Sequence, residues 1–365
     1  MLEPLLIQSG QGAYRVEFAA GGVAALAARL AGMGFSGVVA DRRVAGMYPD
    51  ALAPLLGAVP VLLADATEEE KTLAGSAKVL EFMQANQFSR QSRLLAVGGG
   101  IIGDMASFAA HVYHRGIRWE FVPTTLLAMS DSCIGAKCCL NFNRHKNQVG
   151  AFHAPSAVWI APEFLDTLSD NDIRSGYGEI VKLSLTGPAV FFEEVRGALE
   201  RGGLRNPELP GLIRKGLRVK QAIIEQDEYE AGPRRILNYG HTFGHVLETL
   251  SGYGIPHGLA VAWGVDLANW IAVKKGLLPE AEYAGIHAFV ARHFPVSYSR
   301  PVTARGLVAG AARDKKAAGG SVSLVLPAAS GELRIVPTAL DGALEEILDA
   351  YLTTQCGQPA ARGSR

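Results

Sequence analysis

Short apolar runs alternate with helical patterns through the first part of this chain. Four runs are largely apolar and only four or five residues long, which is typical of buried strands; they lie at residues 37–41, 59–63, 94–97 and 119–122. Between the second and third runs, residues 71–88 have apolar positions at helical spacing and no proline. Because strands separated by helices join most readily as parallel neighbours, the pattern predicts a mostly parallel sheet.

The pattern changes after about residue 160. Five later segments have apolar positions at helical spacing: 170–185, 212–226, 242–250, 258–275 and 279–293. We therefore predict an α/β domain over residues 1–160, a mostly α-helical domain over 161–352, and a polar, disordered tail over 353–365. A chain organised in this way is expected to place its active site in the cleft between the two domains.

Composition agrees with two folded domains. The 365 residues are 48% hydrophobic and 19% charged, which supplies apolar material for buried cores and excludes a disordered chain or a coiled coil. The formal net charge is +0, so we expect no nucleic-acid partner.

We expect a soluble, cytoplasmic protein without a membrane partner. Residues 1–4 lack the basic stretch and apolar run of a signal peptide, and no run of about 18 apolar residues occurs. The four cysteines lack the spacing of metal sites or disulfides, which favours reduced thiols: Cys133, Cys138, Cys139 and Cys356.

A glycine-rich turn, VGGGIIGD at residues 97–104, follows the third predicted strand. Glycines between a strand and a helix let the backbone approach a pyrophosphate at the helix N-terminus, or they serve a tight turn for packing alone. Asp41 ends an earlier strand, where an acid can hold a ribose hydroxyl, and Thr124 and Thr125 follow another strand. These three residues favour the nucleotide interpretation.

Three of the nine histidines, His241, His245 and His257, lie within 17 positions. His241 and His245 are four residues apart and share one face of a helix. Spacing alone therefore nominates this pair as ligands of zinc or a similar divalent ion, with a carboxylate as a further ligand. The alternative is a set of polar histidines satisfied at a helix start.

Basic residues lie in polar, glycine-marked segments near these motifs: Lys137, Lys146, Lys182, Lys220, Arg234 and Arg235. Each one alone is typical of a solvated surface charge. Their placement beside glycines and histidines favours an anionic ligand for the set.

Taken in order, these motifs resemble the sugar phosphate cyclases, and within them most closely the 3-dehydroquinate synthases. The resemblance is carried by residues 98–104, YHRG at 113–116, VPTTLLA at 122–128, KN at 146–147 and LNYGHTFGH at 237–245. It extends from about residue 41 to 316. It implies an N-terminal Rossmann-like domain that binds NAD, a C-terminal helical domain that binds one divalent metal ion, zinc or cobalt, and a homodimer.

The resemblance also implies roles for individual residues. The metal ligands are Glu179, His241 and His257, which moves His245 into the substrate pocket. The NAD contacts are Asp41, Glu68, Lys71, Gly99, Gly100, Asp104, Thr124, Thr125, Asp131, Lys146 and Thr167. The substrate contacts are Lys137, Asn147, Lys182, Lys220, Arg234, Asn238, His245 and one of Lys315 or Lys316. Arg115 matches an arginine that reaches the phosphate from the partner subunit.

The activity implied by the resemblance is a lyase reaction on a small anionic sugar phosphate. Transient oxidation by NAD acidifies the neighbouring carbon, phosphate leaves by β-elimination, the ketone is reduced again, and an intramolecular aldol reaction closes the ring. Arg234 and Asn238 are both present, and the resemblance associates this pair with a substrate that carries a carboxylate. We therefore expect conversion of 3-deoxy-arabino-heptulosonate 7-phosphate to 3-dehydroquinate and phosphate, a step of the shikimate pathway.

Departures from the family pattern keep other substrates open. Leu259 stands where a glutamate normally follows His257 and Gly258, and Cys138 and Cys139 stand where Thr-Ala is usual. The alternatives are a secondary-metabolism cyclase of the amino-dehydroquinate, 2-deoxy-scyllo-inosose or 2-epi-5-epi-valiolone synthase type, a metal-dependent glycerol or alcohol dehydrogenase, and a non-catalytic homologue. A dehydrogenase would not need Lys137, Lys146, Asn147 and Arg115 together. A non-catalytic homologue would be favoured by the loss of a metal ligand or of the lysines, and none of these is lost.

Overall fold

The computed structural model describes residues 2–143, 145–297, 301–313, 317–329 and 331–355. The chain divides into two compact units, the first formed by Met1–Ser169 with Ile213–Glu230 and the second by Asp170–Leu212 with Ala231–Arg365. Residues 213–230 thus join the first unit although they come from the stretch that the sequence pattern assigns to the second domain. Within the described residues, no helix combines the length and the apolar character that crossing a membrane requires.

The strands are β1 (Leu5–Ile7), β2 (Tyr14–Phe18), β3 (Gly37–Asp41), β4 (Val61–Ala64), β5 (Arg93–Gly98), β6 (Arg118–Pro123), β7 (Lys137–Phe142), β8 (His145–Phe152), β9 (Ala157–Ile160), β10 (Ala317–Ala318), β11 (Ser321–Ala329) and β12 (Glu332–Ala339). The α-helices are α1 (Gly22–Ala31), α2 (Arg42–Met47), α3 (Pro49–Leu56), α4 (Leu73–Ala85), α5 (Gly100–Val112), α6 (Asp170–Thr186), α7 (Val190–Gly202), α8 (Leu209–Ile224), α9 (His241–Leu250), α10 (His257–Lys274), α11 (Glu280–His293), α12 (Ala304–Ala311) and α13 (Gly342–Thr354).

A seven-stranded sheet in the order β1-β2-β9-β6-β5-β3-β4 forms the centre of the first unit. All neighbouring strands in it are parallel except β1 and β2. Ala40 pairs with Val97, and Val97 pairs with Val122, so β3, β5 and β6 end at the same edge of the sheet. The chain passes from β4 across to β5 on the other side of β3, which creates a switch point of the kind where α/β proteins bind ligands.

The four strands predicted from apolar runs are confirmed as β3, β4, β5 and β6, and the helix predicted between them is confirmed as α4. Several elements of the first unit were not predicted, among them β1 and the hairpin of β7 and β8. The strand β1 has only three residues, which is too short for a recognisable period. The hairpin of β7 and β8 is largely polar and exposed along β8, so it lacks the apolar run that marks a buried strand.

The second unit is built around α10, whose residues 258–272 are all buried. Helices that are apolar on every side lie inside a protein, and α6, α9 and α11 pack around this one. The five predicted helical segments are confirmed as α6, α8, α9, α10 and α11. An antiparallel sheet of β10, β11 and β12 was not predicted, and its strand β11 lies against α10.

The predicted tail begins inside α13, which includes Thr353 and Thr354. Its remaining part from residue 356 onward, with Cys356, lies outside the described residues.

Candidate active site

Three donor groups converge in the second unit. Glu179 lies on α6, while His241 and His257 are the first residues of α9 and α10. One donor atom of each side chain lies within 4.8 Å of the other two. Nε2 of His257 is 3.1 Å and Nε2 of His241 is 3.6 Å from Oε1 of Glu179. Ligand atoms of a tetrahedral zinc site, with bonds of about 2.0–2.1 Å, lie about 3.3 Å apart, so these three side chains fit one divalent metal ion.

Glycines allow the three helices to approach closely enough for this. A Cβ atom at Gly258 would lie 1.6 Å from the backbone oxygen of Ser175 on α6. A Cβ atom at Gly264 would lie 2.0 Å from the backbone oxygen of Gly240, the residue that precedes α9. Gly178, Gly240 and Gly258 are each the immediate chain neighbour of one donor residue. Each donor residue therefore lies beside a glycine at which two helix backbones approach each other closely.

The charges around Glu179 and His241 favour the protonation states in which these two side chains can bind a metal ion. Nζ of Lys182 lies 2.5 Å from Oε2 of Glu179, and the two side chains are 3% and 1% exposed. Burial alone would raise the pKa of Glu179, but the charge of Lys182 and the hydrogen bond from His257 hold it well below its usual range. Burial, and then the charge of Lys182, lower the pKa of His241 well below its ordinary value. Glu179 is thus a carboxylate and His241 a neutral imidazole.

His257 lies between two carboxylates. Burial would lower its pKa, but the hydrogen bonds to Glu179 and Glu248 outweigh burial and raise the pKa to about 10. In the metal-free protein His257 is therefore a positively charged imidazolium with a proton on each ring nitrogen, and binding of a metal ion would release one of these protons.

Three further predicted residues lie near these donors in the chain. Arg234 is 2% exposed and lies in the 3₁₀ turn Pro233–Asn238. Nδ2 of Asn238 donates to the backbone oxygen of Arg235 at 3.1 Å. The ring of His245 lies 5.2 Å from that of His241 and 5.8 Å from that of His257, measured between centroids. Donor atoms of His245, Glu248 and His257 also lie within 4.8 Å of one another, but neither donor group among the described residues contains both His241 and His245, the pair nominated by spacing alone.

In the first unit, predicted NAD residues share one edge of the sheet. Asp41 ends β3, Gly99 and Gly100 follow β5, and Thr124 and Thr125 follow β6. Because these strands are parallel neighbours in register, their carboxyl ends lie side by side. Gly100 is also the first residue of α5, whose N-terminal N–H groups are a suitable anion-binding element.

Packing explains only part of the glycine-rich turn. A Cβ atom at Gly98 would lie 2.6 Å from Cγ1 of Ile102, so this position needs glycine for packing. A Cβ atom at Gly100 would meet nothing nearer than Oγ of Ser132 at 3.5 Å, an ordinary contact. Packing against the described residues therefore does not require glycine at residue 100.

Lys71 joins two of the predicted groups of the first unit. Its Nζ lies 2.7 Å from Oδ2 of Asp104 and donates to Oδ1 of Asn147 at 2.9 Å. Burial would lower the pKa of Lys71, but the adjacent Asp104 carboxylate raises it. Lys71 is therefore a charged group held between an expected cofactor residue and an expected substrate residue. Nearby, Glu68 and Lys146 form a looser pair with 3.9 Å between Oε1 and Nζ.

The expected phosphate- and substrate-binding lysines of the first unit have acidic partners. Lys137, the first residue of β7, forms an ion pair with Glu230. Lys220 lies on α8, where its Nζ is 3.1 Å from Oδ1 of Asp131 and donates to the backbone oxygen of Asp131 at 2.7 Å.

Among the described residues, three predicted site residues form no side-chain hydrogen bond or ion pair with the donor group or with the Lys71, Lys137 and Lys220 pairs. The side chain of Asp41 accepts from the N–H of Arg43 and caps α2. Oγ1 of Thr167 lies 3.1 Å from the hydroxyl of Tyr48. Arg115 is exposed and has a left-handed backbone with φ of 66°. Lys315 and Lys316 lie outside the described residues.

Sequence reasoning missed two acidic residues that contact expected site residues. Glu230 pairs with Lys137, and nothing in its spacing marks it. Oε2 of Glu248 lies 3.1 Å from Nδ1 of His257. A signal for Glu248 was present, because it follows His241 by seven positions and His245 by three and so shares their helix face.

Comparisons with known proteins agree with these features. Residues 61–175 match the family model described as 3-dehydroquinate synthase N-terminal, and residues 176–317 match 3-dehydroquinate synthase C-terminal. The chain is 40% identical over 302 residues to a 3-dehydroquinate synthase of Opitutus terrae, covering 81% of this chain and 82% of the relative. It is 36% identical over 352 residues to a 3-dehydroquinate synthase of Synechococcus sp., covering 92% and 93%.

Solved structures with the same fold include two synthases of other names. A 2-epi-5-epi-valiolone synthase of Streptomyces hygroscopicus, with NAD⁺ and Zn²⁺ bound, is 30% identical with a TM-score of 0.82, over 97% of this chain and 98% of that chain. A 2-deoxy-scyllo-inosose synthase complexed with carbaglucose-6-phosphate, NAD⁺ and Co²⁺ is 23% identical with a TM-score of 0.82, over 95% and 99%, and supports the fold alone. Both family models and the extent of identity to curated relatives establish that this chain belongs to the 3-dehydroquinate synthase family of sugar phosphate cyclases.

Proposed function

We propose that this protein is a 3-dehydroquinate synthase that converts 3-deoxy-arabino-heptulosonate 7-phosphate to 3-dehydroquinate and phosphate, a carbon–oxygen lyase reaction of the shikimate pathway. The observation that carries the proposal is the donor group formed by the buried Glu179 and the half-buried His241 and His257 beside Lys182, in a chain of this family. The curated relatives named above support the choice of substrate.

Two cofactors belong to the proposal. When bound, NAD would supply the transient oxidation and the returning hydride, and a divalent metal ion, zinc or cobalt, would polarise the oxygen of the hydroxyl group whose carbon is oxidised to a ketone and reduced again. Glu179, His241 and His257 hold the metal ion. Asp41, Gly99, Gly100, Thr124 and Thr125 hold NAD at the carboxyl edge of the sheet. The NAD⁺ and Zn²⁺ bound in the 2-epi-5-epi-valiolone synthase, which is 30% identical to this chain, support this assignment.

The basic residues orient the substrate. Lys137 and Asn147 hold the phosphate that leaves, and Lys182 and Lys220 hold hydroxyl groups. Arg234 holds the carboxylate, because a buried guanidinium presents a planar pair of donors that matches a carboxylate. Asn238 lies in the same 3₁₀ turn and assists it.

We further propose a cytoplasmic homodimer in which Arg115 contacts the phosphate bound by the partner subunit. The exposed side chain of Arg115 supports this role. The left-handed backbone at both His114 and Arg115 supports it too, since strained turns persist where a function requires them.

A second candidate is a secondary-metabolism cyclase acting on a sugar phosphate without a carboxylate. The 30% identity to the 2-epi-5-epi-valiolone synthase over 97% of this chain favours it. The buried, apolar Leu259 beside the donor group, where the family usually has glutamate, favours it as well.

The experiment that separates the two candidates measures inorganic phosphate released by the purified protein with NAD and zinc or cobalt. The substrates are 3-deoxy-arabino-heptulosonate 7-phosphate, sedoheptulose 7-phosphate and glucose 6-phosphate. We expect phosphate from the first alone and no net NADH. Release from a carboxylate-free sugar would establish the second candidate, and stoichiometric NADH would indicate a dehydrogenase instead.

Two variants test the residue assignments. Arg234→Ala should raise the KM for the carboxylate-bearing substrate strongly and leave NAD binding intact, and an unchanged KM would remove the carboxylate assignment. His257→Ala should abolish tight Zn²⁺ binding, and full metal occupancy in that variant would contradict the ligand assignment.

A further inference from the structure

Glu248 is a buried carboxylate that contacts the expected metal site without belonging to the three donors described above. It lies on α9, and its side chain is 5% exposed. Its Oε2 lies 3.1 Å from Nδ1 of His257. A carboxylate is rarely buried without a charged or hydrogen-bonded partner, and His257 is such a partner.

The two ring nitrogens of His257 face different carboxylates. Nδ1 faces Glu248, whereas Nε2 lies 3.1 Å from Oε1 of Glu179. A neutral imidazole has one N–H group and one lone pair. When the N–H is on Nδ1 and donates to Glu248, the lone pair is on Nε2 and points toward Glu179 and the metal position.

Leu259, which lies near His257 in the chain, cannot accept a hydrogen bond from the His257 imidazole as Glu248 does. Leu259, two positions after His257, is 3% exposed and apolar, so its side chain offers no acceptor for an imidazole N–H. Glu248 comes from a different helix, α9, and thereby connects the start of α10 to the helix that carries His241.

We propose that Glu248 is a positioning residue that holds His257 in the orientation and tautomer in which Nε2 binds the divalent metal ion. The inference rests on the metal site of the proposed function. Carboxylates that accept from a metal-binding histidine fix its ring and increase its basicity, and their removal typically weakens metal binding about 10- to 100-fold.

The test compares Zn²⁺ affinity, measured by competition with a chromogenic chelator, in the wild-type protein, Glu248→Ala and Glu248→Gln. We expect the Zn²⁺ Kd to rise about 10- to 100-fold in Glu248→Ala. The rise should be smaller in Glu248→Gln, because the amide oxygen still accepts the N–H of Nδ1 without carrying a charge. The visible absorption of bound Co²⁺ should shift in both variants while NAD binding is retained.

Asp266→Asn is the matched control. Asp266 is another fully buried carboxylate, on α10, and its Oδ2 lies 2.9 Å from Nδ1 of His287. The substitution makes the same chemical change at another carboxylate–histidine pair of the same unit. It should lower the melting temperature and leave the Zn²⁺ Kd and the Co²⁺ spectrum unchanged.

The outcomes separate this inference from the proposed function. Glu248 variants that fold and bind Zn²⁺ within threefold of the wild type would overturn the positioning role, while loss of binding in His257→Ala would leave the metal site standing. Complete loss of binding in Glu248→Gln with retained binding in Glu179→Gln would overturn it too, because Glu248 would then be a ligand. A wild-type protein that binds no Zn²⁺ or Co²⁺ would refute the metal site itself.

Discussion

Gly258→Ala tests whether the close crossing of α6 and α10 positions the donors of the proposed metal site. The added Cβ would lie 1.6 Å from the backbone oxygen of Ser175, 2.5 Å from its carbonyl carbon and 2.9 Å from its Cα. Ordinary contact begins at 3.4 Å, so the two backbones must separate by about 1.8 Å (3.4 − 1.6). No side-chain rotation relieves this clash, because every one of these atoms belongs to the backbone.

The cost can be estimated from the same geometry. Overpacking a core by a methyl group typically costs about 1–3 kcal/mol, and a clash with backbone lies at or above the top of that range. His257 is the residue directly before Gly258 and moves with it, whereas Glu179 remains on α6. Because metal–ligand distances tolerate changes of only about 0.2 Å, a movement of about 1.8 Å should weaken Zn²⁺ binding more than about 100-fold.

Two measurements check this prediction: the urea-unfolding free energy and the Zn²⁺ Kd. The matched control is Gly285→Ala on α11, where an added Cβ meets no atom within 4 Å. Alanine there should stabilise the helix by up to about 1 kcal/mol and leave the Zn²⁺ Kd unchanged. A Gly258→Ala protein with wild-type stability and Zn²⁺ affinity would refute the conclusion that close backbone approach positions the donors.

Three further predictions concern other parts of the molecule. Lys71→Met should lower the urea-unfolding free energy of the first unit by about 2–3 kcal/mol, because the largely buried carboxylate of Asp104 loses its ion-pair partner. Lys78→Met, at an exposed ion pair, should cost less than about 1 kcal/mol, and equal losses in the two variants would contradict this prediction. Burial raises the pKa of Cys133 to about 12, so at pH 8 only about one thiol in 10⁴ is ionised. Iodoacetamide should therefore label Cys133 far more slowly in the folded protein than in urea, as detected by mass spectrometry. The hydrogen bond to Asp266 raises the pKa of His287, so this pair stabilises the fold below about pH 6.5, and the stabilisation is lost as the pH rises through the raised pKa. His287→Gln should therefore lower the Tm more at pH 6 than at pH 9. Equal losses of Tm at the two pH values would exclude the coupling between His287 and Asp266.

Residue spacing along the chain predicted local structure well, but it could not show which donor side chains meet across different helices. The helix over 242–250 is α9, and His241 and His245 do share its face. A shared face shows only that two side chains belong to one helix, and it cannot show which other helix lies opposite. Here α6 and α10 lie opposite, so Glu179 and His257 are the donors near His241. The family resemblance, which compares the whole pattern, nominated these three.

The same reasoning applies to the unpredicted elements. The strands β11 and β12 pair over nearly their whole length, yet that pairing is absent from the periodicity of either segment. Residues 213–230 were recognisable as mostly helical, but their membership of the first unit depends on contacts with residues distant in the chain. One such contact is the hydrogen bond from Gln221 to the backbone oxygen of Leu6.

The sequence by itself determined the alternating strands and helices, the glycine-rich turn after β5 and the residue types of the site, because periodicity, turn chemistry and motifs are local. It also contained a glycine beside each donor: Gly178, Gly240 and Gly258. Tertiary structure alone decided that these glycines lie at helix crossings, that His257 faces one carboxylate on each side, and that Lys182 neutralises Glu179 inside the second unit. The physical reason is that backbone approach, burial and electrostatic pairing depend on distances between segments far apart in the chain, and those distances exist only in the folded protein.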